Sequence, residues 1–389
     1  IPGILDLWFQ KRVEYKNEMK KYGKAGNKEK YAFFHKRQLV QKILLNSLYG
    51  VLGLPAFRFY DVDNATAVTT TGQTVIKSTA DMANIKYNKE LGNPDLDSNI
   101  YIDTDSVFFS AVPLMDKRLP NWKEQDQDTI AGYVNDIAEE MQDYLNDFYN
   151  ILSKKIFNVD VDKHRLEIKK EYVAKAGLWV AKKRYAQWII SDNGVPCDKL
   201  DVKGLDVKRS SFPKAFQECM GTVLIDILKG KSETEISDYV LDFKKNMVNR
   251  PTVEIAKNSA VKNLKKYMPK GKGKRERFSI MKGTPAHVKA AILYNDCLKH
   301  FNAPFKYEPL KSGDKVKWVY LKDNPLGIDG LAFTGYKDPP EIEEFLATYI
   351  DHNKIFAREL GHKLQVFYDA IGWGEVISEQ RTAEKFFNF

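Results

Sequence analysis

Residues 99–109 constrain this chain more than any other segment. Ile102, Val107, Phe108 and Phe109 close around the run Asp103-Thr104-Asp105-Ser106, so strand-forming apolar residues flank two acids. The pattern predicts a β-hairpin with the acids at its tip, because aromatic and β-branched flanks suit a half-buried pleat. Carboxylates at i and i+2 on a strand share a face, and like charges so close repel unless a divalent cation lies between them. Hard oxygen ligands select Mg²⁺, with Mn²⁺ as the alternative. Taken alone, an Asp-x-Asp tip is more often a plain acidic turn than a metal site.

A second constellation changes those odds. Apolar residues on a helical period, Leu5, Trp8, Phe9 and Val13, predict a helix over residues 4–21. Gly23 and Gly26 break it, and the pattern resumes over 30–49 until Gly50 and Gly53, so a helical hairpin is expected. Lys42, Asn46 and Tyr49 stand at i, i+4 and i+7, one stripe of the second helix, with Ile43, Leu44 and Leu48 expected to pack elsewhere. A cation, an amide and an aromatic in that order can meet a triphosphate, a sugar and a base pair. Arg12 and Lys16, at i and i+4 on the first helix, add two further phosphate contacts. Either helix by itself reads as a solvated basic face over an ordinary core.

Charge runs in blocks. The chain carries 61 Lys+Arg against 52 Asp+Glu, a net of +9. Residues 261–289 hold ten Lys or Arg against Glu276, and residues 11–42 hold eleven against three Glu, whereas residues 116–147 carry nine acids against three basic residues. Such alternation suits a polyanion met on chosen faces only. No run of apolar residues is long enough for a membrane span, and no signal peptide opens the chain. Three scattered cysteines, Cys197, Cys219 and Cys297, fit neither a disulfide framework nor a zinc cluster and suggest a reducing, cytoplasmic setting. A start at Ile1-Pro2 without methionine is expected of a chain cut from something longer.

Elsewhere the sequence predicts a short strand at 57–61, a helix over 65–86, and a helix over 130–152. A β-rich stretch over 166–190 should end at the turn signal Asp192-Asn193-Gly194, and helices should dominate from Pro213 onward, broken by a Gly/Lys-rich loop at 269–274. That loop lacks P-loop spacing; a string of basic residues from Lys270 to Arg277 would track backbone phosphates without reading sequence.

These residues together resemble DNA polymerase family B. Lys42-x-x-x-Asn46-Ser47-x-Tyr49-Gly50 is similar to the family's fingers motif, and Tyr101-x-Asp103-Thr104-Asp105-Ser106 to its palm motif. Lys182-Lys183-Arg184-Tyr185 resembles the primer-gripping element, and Lys203-Gly204-Leu205-Asp206 with Arg209-Ser210 and Pro213 resembles the segment leading into the thumb. Four motifs in the family's order are far more specific than any one, and the resemblance, closest to polymerases of T-even-type tailed phages, covers essentially the whole chain.

The resemblance implies an α+β fold of right-hand architecture: helical-hairpin fingers at 1–55, an incomplete antiparallel-sheet palm at 56–212, a mainly helical thumb at 213–380 and a clamp-binding tail at 381–389. It implies that Arg12, Lys16, Lys42 and Asn46 bind the incoming dNTP and that Tyr49 packs under the nascent base pair. Asp105 would be a principal ligand of two Mg²⁺ ions, Asp103 a supporting one, and Glu167 or Glu171 a further active-site acid. Lys182, Lys183 and Tyr185 would meet primer-template DNA, Tyr267 and Lys282 the duplex product, and Phe386, Phe387 and Phe389 a sliding clamp.

The family's first palm motif, an Asp followed by Ser-Leu-Tyr-Pro-Ser, and its Asp-x-Glu exonuclease element do not occur in this sequence. The resemblance therefore implies one principal metal carboxylate without the other, and no synthesis unless an N-terminal polymerase half supplies the missing residues. Two other readings compete. A non-catalytic DNA-binding or processivity subunit would not need the metal carboxylates, and a reverse transcriptase would carry a Tyr-x-Asp-Asp tip instead.

Overall fold

Two long helices open the chain. The helices α1 (Pro2–Lys24) and α2 (Lys28–Leu52) fold back on each other through a turn in which Gly26 takes φ +68. Their half-buried positions, Leu5, Trp8, Arg12, Tyr15, Met19 and Tyr22 on α1 and Phe34, Gln38, Gln41, Leu45, Leu48 and Leu52 on α2, repeat every three or four residues, the seam of a coiled-coil-like pair. Tyr22 stacks on Phe34 at 5.5 Å near the turn. Neither Gly23 nor Gly50 ends a helix: both lie inside one, and Gly53 caps α2. Phe9, Val13, Ile43 and Leu44, expected in a core, are exposed instead, because a seam this narrow has room for one residue in three or four. The expected strand at 57–61 is a series of turns, and none of the described strands pairs with it.

The structure, a computed structural model, describes residues 2–268, 277–303 and 306–377. The chain forms two units, residues 1–123 with 137–168, and residues 124–136 with 169–389. In the first unit α3 (Val62–Leu91) is capped by Asp61 and ended by Gly92 in the left-handed region. It buries Ile76, Thr79, Ala80, Ala83 and Tyr87. The antiparallel hairpin β1 (Asn99–Asp103) and β2 (Ser106–Phe109) lies against α3, where Tyr87 meets Phe109 edge-on at 5.5 Å. Short α4 (Val112–Arg118) carries Arg118, which bridges Glu90 and Glu140 at 2.6–3.0 Å and holds both carboxyls below their usual pKa. Glu140 belongs to α5 (Gln127–Lys155), whose Tyr149 hydroxyl hydrogen-bonds buried Thr79 at 2.8 Å.

The second unit holds most of the core. Strands β3 (Tyr172–Ala181), β4 (Arg184–Asp192) and β5 (Val195–Lys203) form an antiparallel meander. The β-rich stretch therefore begins later than 166 and extends past the Asp192-Asn193-Gly194 turn into a third strand. Helices α6 (Lys214–Leu228) and α7 (Glu233–Asn246) follow, then the single turn α8 (Thr252–Ile255). This region is less purely helical than expected. Strand β6 (Lys257–Ala260), placed before α9 (Ala286–His300), pairs with β7 (Lys315–Tyr320), which pairs on its other side with β8 (Gly330–Phe333), in a second antiparallel sheet. Helix α10 (Pro340–Tyr349) leads into α11 (His352–Ile355), a π-helical turn over Phe356–Gly361, and α12 (His362–Ile371). Phe216, Val223, Ile292, Leu331, Leu360 and Phe367 belong to one buried cluster spanning these elements. No helix among the described residues is long and apolar enough to cross a membrane.

Candidate functional site

The hairpin tip differs in one respect from two acids on a strand face. Asp103 ends β1 and pairs with Ser106, so Thr104 and Asp105 form the two-residue turn itself. The Asp105 N–H donates to the Asp103 carbonyl at 2.6 Å across Thr104, whose φ is +52. An i→i+2 hydrogen bond over a positive φ marks a γ-turn of the rarer, strained hand, and a β-branched residue there is costly. The Ser106 hydroxyl donates to the same carbonyl at 3.1 Å, and the Thr104 hydroxyl to the Asp103 carboxylate at 3.0 Å. The turn thus exposes Asp105 and leaves Asp103 half-buried below it.

The donor chemistry of this tip suits a hard divalent cation, which takes one or two carboxylates and completes its shell with water and phosphate oxygens. Among the described residues no cluster of three or more His, Cys, Asp or Glu is arranged as a metal cage. Of the two further candidate acids, Glu167 falls in the unit that holds the hairpin and Glu171 in the other; both are exposed.

On α2, Lys42, Asn46 and Tyr49 form an exposed stripe beside the seam, while Arg12 and Lys16 on α1 are half-buried. Among the described residues the buried Nε of Arg12 has no hydrogen-bond partner, and neither has the buried Oε1 of Gln41. Neither Arg12 nor Lys42 is in an ion pair among the described residues. The stripe, the seam cations and the hairpin acids share the first unit, in which α3 touches both α2 and the hairpin.

In the second unit Lys182 and Lys183 make the exposed β3–β4 turn, with Lys183 at φ +61, and the ladder resumes at the Ala181–Arg184 pair. Tyr185 is 7% exposed and stacks on Trp179 at 6.3 Å, so it braces the turn from beneath. Gly204 explains the Lys-Gly pair that follows. At φ +64 its missing side chain lets the Lys183 carbonyl approach to 2.0 Å from where a Cβ would stand. Asp206, which the motif included without a role, is a hub: its nearly buried carboxylate meets Arg209 at 2.9 Å, Lys363 at 3.3 Å and Arg184 at 3.6 Å. Its place in Lys203-Gly204-Leu205-Asp206 was the only sequence signal for it, since all but one of its partners are distant in the chain.

Tyr267 is half-buried against the core, and Lys282 is exposed. Phe386, Phe387 and Phe389 lie outside the described residues, as does the basic loop apart from Arg277.

Comparison with known proteins bears on these parts together. The model of the family "DNA polymerase family B" matches residues 1–119 and 130–369. The chain is 29% identical over 349 residues to the DNA-directed DNA polymerase of Enterobacteria phage T4, which covers 86% of this chain and 37% of that protein. It is 28% identical over 347 residues to the DNA-directed DNA polymerase of Escherichia phage RB69, with the same two coverages. A more distant relative, the DNA polymerase alpha catalytic subunit of Arabidopsis thaliana, is 27% identical over 240 residues, 61% of this chain and 13% of that one. The chain thus spans 37% of the length of the phage relatives it matches.

Proposed function

The chain belongs to DNA polymerase family B, and from that membership we propose that it supplies the fingers, the later part of the palm and the thumb of a template-directed DNA polymerase. Its reaction would be nucleotidyl transfer from a dNTP to a primer 3′-hydroxyl. The observation that carries the reading is that one compact unit contains both the Asp103–Asp105 tip and the exposed Lys42–Asn46–Tyr49 stripe. In a right-hand arrangement residues 1–55 act as fingers, 56–212 as the later palm, 213–380 as thumb and 381–389 as a clamp-binding tail.

Each residue has a task in this reading. Lys42, Arg12 and Lys16 neutralise the triphosphate with their charge. Asn46 holds the triphosphate beside them, and Tyr49 packs under the nascent pair, where a misfit costs contact rather than hydrogen bonds. Asp105, exposed on the turn, is the principal metal carboxylate and Asp103 the supporting one; Glu167 is favoured over Glu171 because it shares their unit. Two Mg²⁺ ions, or Mn²⁺, would supply charge neutralisation at the phosphates and a more acidic 3′-hydroxyl. Lys182 and Lys183 meet the primer-template backbone, with Tyr185 bracing them, and Tyr267 and Lys282 hold the duplex. Phe386, Phe387 and Phe389 dock on a sliding clamp, and the setting is phage-type DNA replication in a host bacterial cytoplasm.

Since the sequence contains no first palm motif, activity requires a partner segment that carries it together with the exonuclease. Primer extension with Mg²⁺ and four dNTPs tests the reading. The 389-residue chain alone should be inactive, and addition of the upstream half of a related polymerase should give synthesis. Robust extension by the chain alone would overturn the partial-site proposal, whereas tight DNA binding with no synthesis in any supplemented mixture would favour a non-catalytic subunit.

A further inference from the structure

The three cations gathered on Asp206 come from different parts of the second unit. Arg184 directly follows the Lys182-Lys183 turn, Arg209 lies in the loop that leads to α6, and Lys363 stands on the first turn of α12. The two carboxylate oxygens face different partners. Oδ1 meets Arg209 at 2.9 Å and Lys363 at 3.3 Å, while Oδ2 faces Arg184 at 3.6 Å. Among the described residues neither Arg184 nor Lys363 is in an ion pair with another acid. One carboxylate thus ties the start of β4 to α12.

The side that carries the carboxylate is firmly fixed. The Arg209 N–H donates to the Asp206 carbonyl and the Phe212 N–H to the Arg209 carbonyl, both at 2.9 Å. From α6 the Gln217 amide donates to the Arg209 and Phe212 carbonyls at 3.0 and 2.8 Å. Phe212 is buried in the main core, and the Lys363 ammonium lies 4.2 Å from its ring centre. Lys363 is therefore held from two sides, by a carboxylate and by an aromatic ring. The side to be held is weaker. Lys182 and Lys183 are adjacent, exposed and of like charge, and Lys183 takes φ +61, so the turn carries both repulsion and backbone strain. At its base the Lys183 carbonyl abuts Gly204, two residues before Asp206.

We propose that Asp206 and Lys363 are positioning residues for the Lys182-Lys183 turn. Together they fasten it to α12, so that its two ammonium groups are presented in one geometry, and neither residue touches a ligand. That the turn meets primer-template DNA rests on the polymerase reading; that it is held from α12 does not.

Hydrogen exchange of the full chain, followed by mass spectrometry, reads the turn itself. Anisotropy titration with a primer-template duplex at several salt concentrations reads its use. In Asp206→Asn and in Lys363→Met the amides of residues 181–185 should exchange about threefold faster or more, the size expected for a partly exposed ion pair. Those of the β4–β5 turn at 192–195 should keep their rates. Duplex affinity of Lys363→Met should fall about threefold with an unchanged salt slope, because no phosphate contact is removed. Lys363→Arg, which keeps the charge, should retain both properties. Equal acceleration at the two turns would reduce the ion pairs to general support of the fold, and unchanged exchange at 181–185 would deny the link; either overturns the proposal. So would a salt slope shallower by about one in Lys363→Met, which would put Lys363 itself on a phosphate. A wild-type chain that binds no duplex would count against the polymerase reading alone, and the exchange rates would still decide this one.

Discussion

Replacing Gly204 by alanine tests how the end of β5 fixes the Lys182-Lys183 turn. Two costs arise, and they can be separated. The first is backbone strain: alanine at φ +64 costs about 1 kcal/mol. The second is the approach of the Lys183 carbonyl, 2.0 Å from the new Cβ, where ordinary contact begins near 3.4 Å. The gap must open by more than about 1 Å, and the moving atoms are backbone, held by the Tyr185–Lys203 and Ala181–Arg184 pairs on either side. Overpacking of this kind costs about 1–3 kcal/mol. Gly194 is the control: its φ is +78, yet nothing lies within 4 Å of its Cβ position. Urea denaturation should therefore show Gly204→Ala less stable by about 3 kcal/mol and Gly194→Ala by only about 1 kcal/mol. Because the displaced atoms belong to Lys183, duplex affinity should fall in the first variant alone. Equal destabilisation of the two variants, or intact duplex affinity in Gly204→Ala, would refute the reasoning.

Other outcomes follow from the same geometry. Asp206→Asn removes the carboxylate shared by Arg184, Arg209 and Lys363; because those partners are 26–60% exposed, the loss should be about 2–3 kcal/mol in urea, below the cost of breaking a fully buried pair. His287 and His352 have pKa values lowered chiefly by burial, with Lys257 and Lys322 respectively adding to it. The unfolded chain therefore binds protons more readily, so their share of stability is complete above 6.5 and is lost as pH falls below it; urea midpoints should drop from roughly pH 7 to 5, and His352→Gln should flatten the decline. In a supplemented polymerase, Asp105→Asn should cut extension at least about a thousandfold and Asp103→Asn distinctly less, without loss of duplex binding; equal effects would deny Asp105 its leading role.

How much was legible in the sequence depends on whether the cause was local. The hairpin at 99–109 and the long helices could be read because periodicity and turn chemistry are encoded within each segment. The strand expected at 57–61 had the right residue types, but none of the described strands pairs with it. The opposite failure is β6, whose Lys257-Asn258-Ser259-Ala260 has no strand pattern and forms only because β7, more than fifty residues later, pairs with it. At the site, residue identities were visible while their mechanics were not. The γ-turn that exposes Asp105, the steric reason for Gly204 and the hub at Asp206 each depend on backbone geometry or on partners that local sequence does not name. Phe9, Val13, Ile43 and Leu44 matched a helical period yet stay exposed, because period alone does not say how wide a buried face will be.

The central claim is that the hairpin acids and the α2 stripe serve one nucleotide. A double-mutant cycle on Lys42→Ala and Asp105→Asn, read as Mn²⁺·dNTP affinity by electron paramagnetic resonance in the supplemented polymerase, measures that directly. Two residues acting on one metal-bound triphosphate should couple, the double variant losing less than the two single losses combined by about 1 kcal/mol or more. Strictly additive losses would mean that the two groups act on separate ligands, and the account would be contradicted.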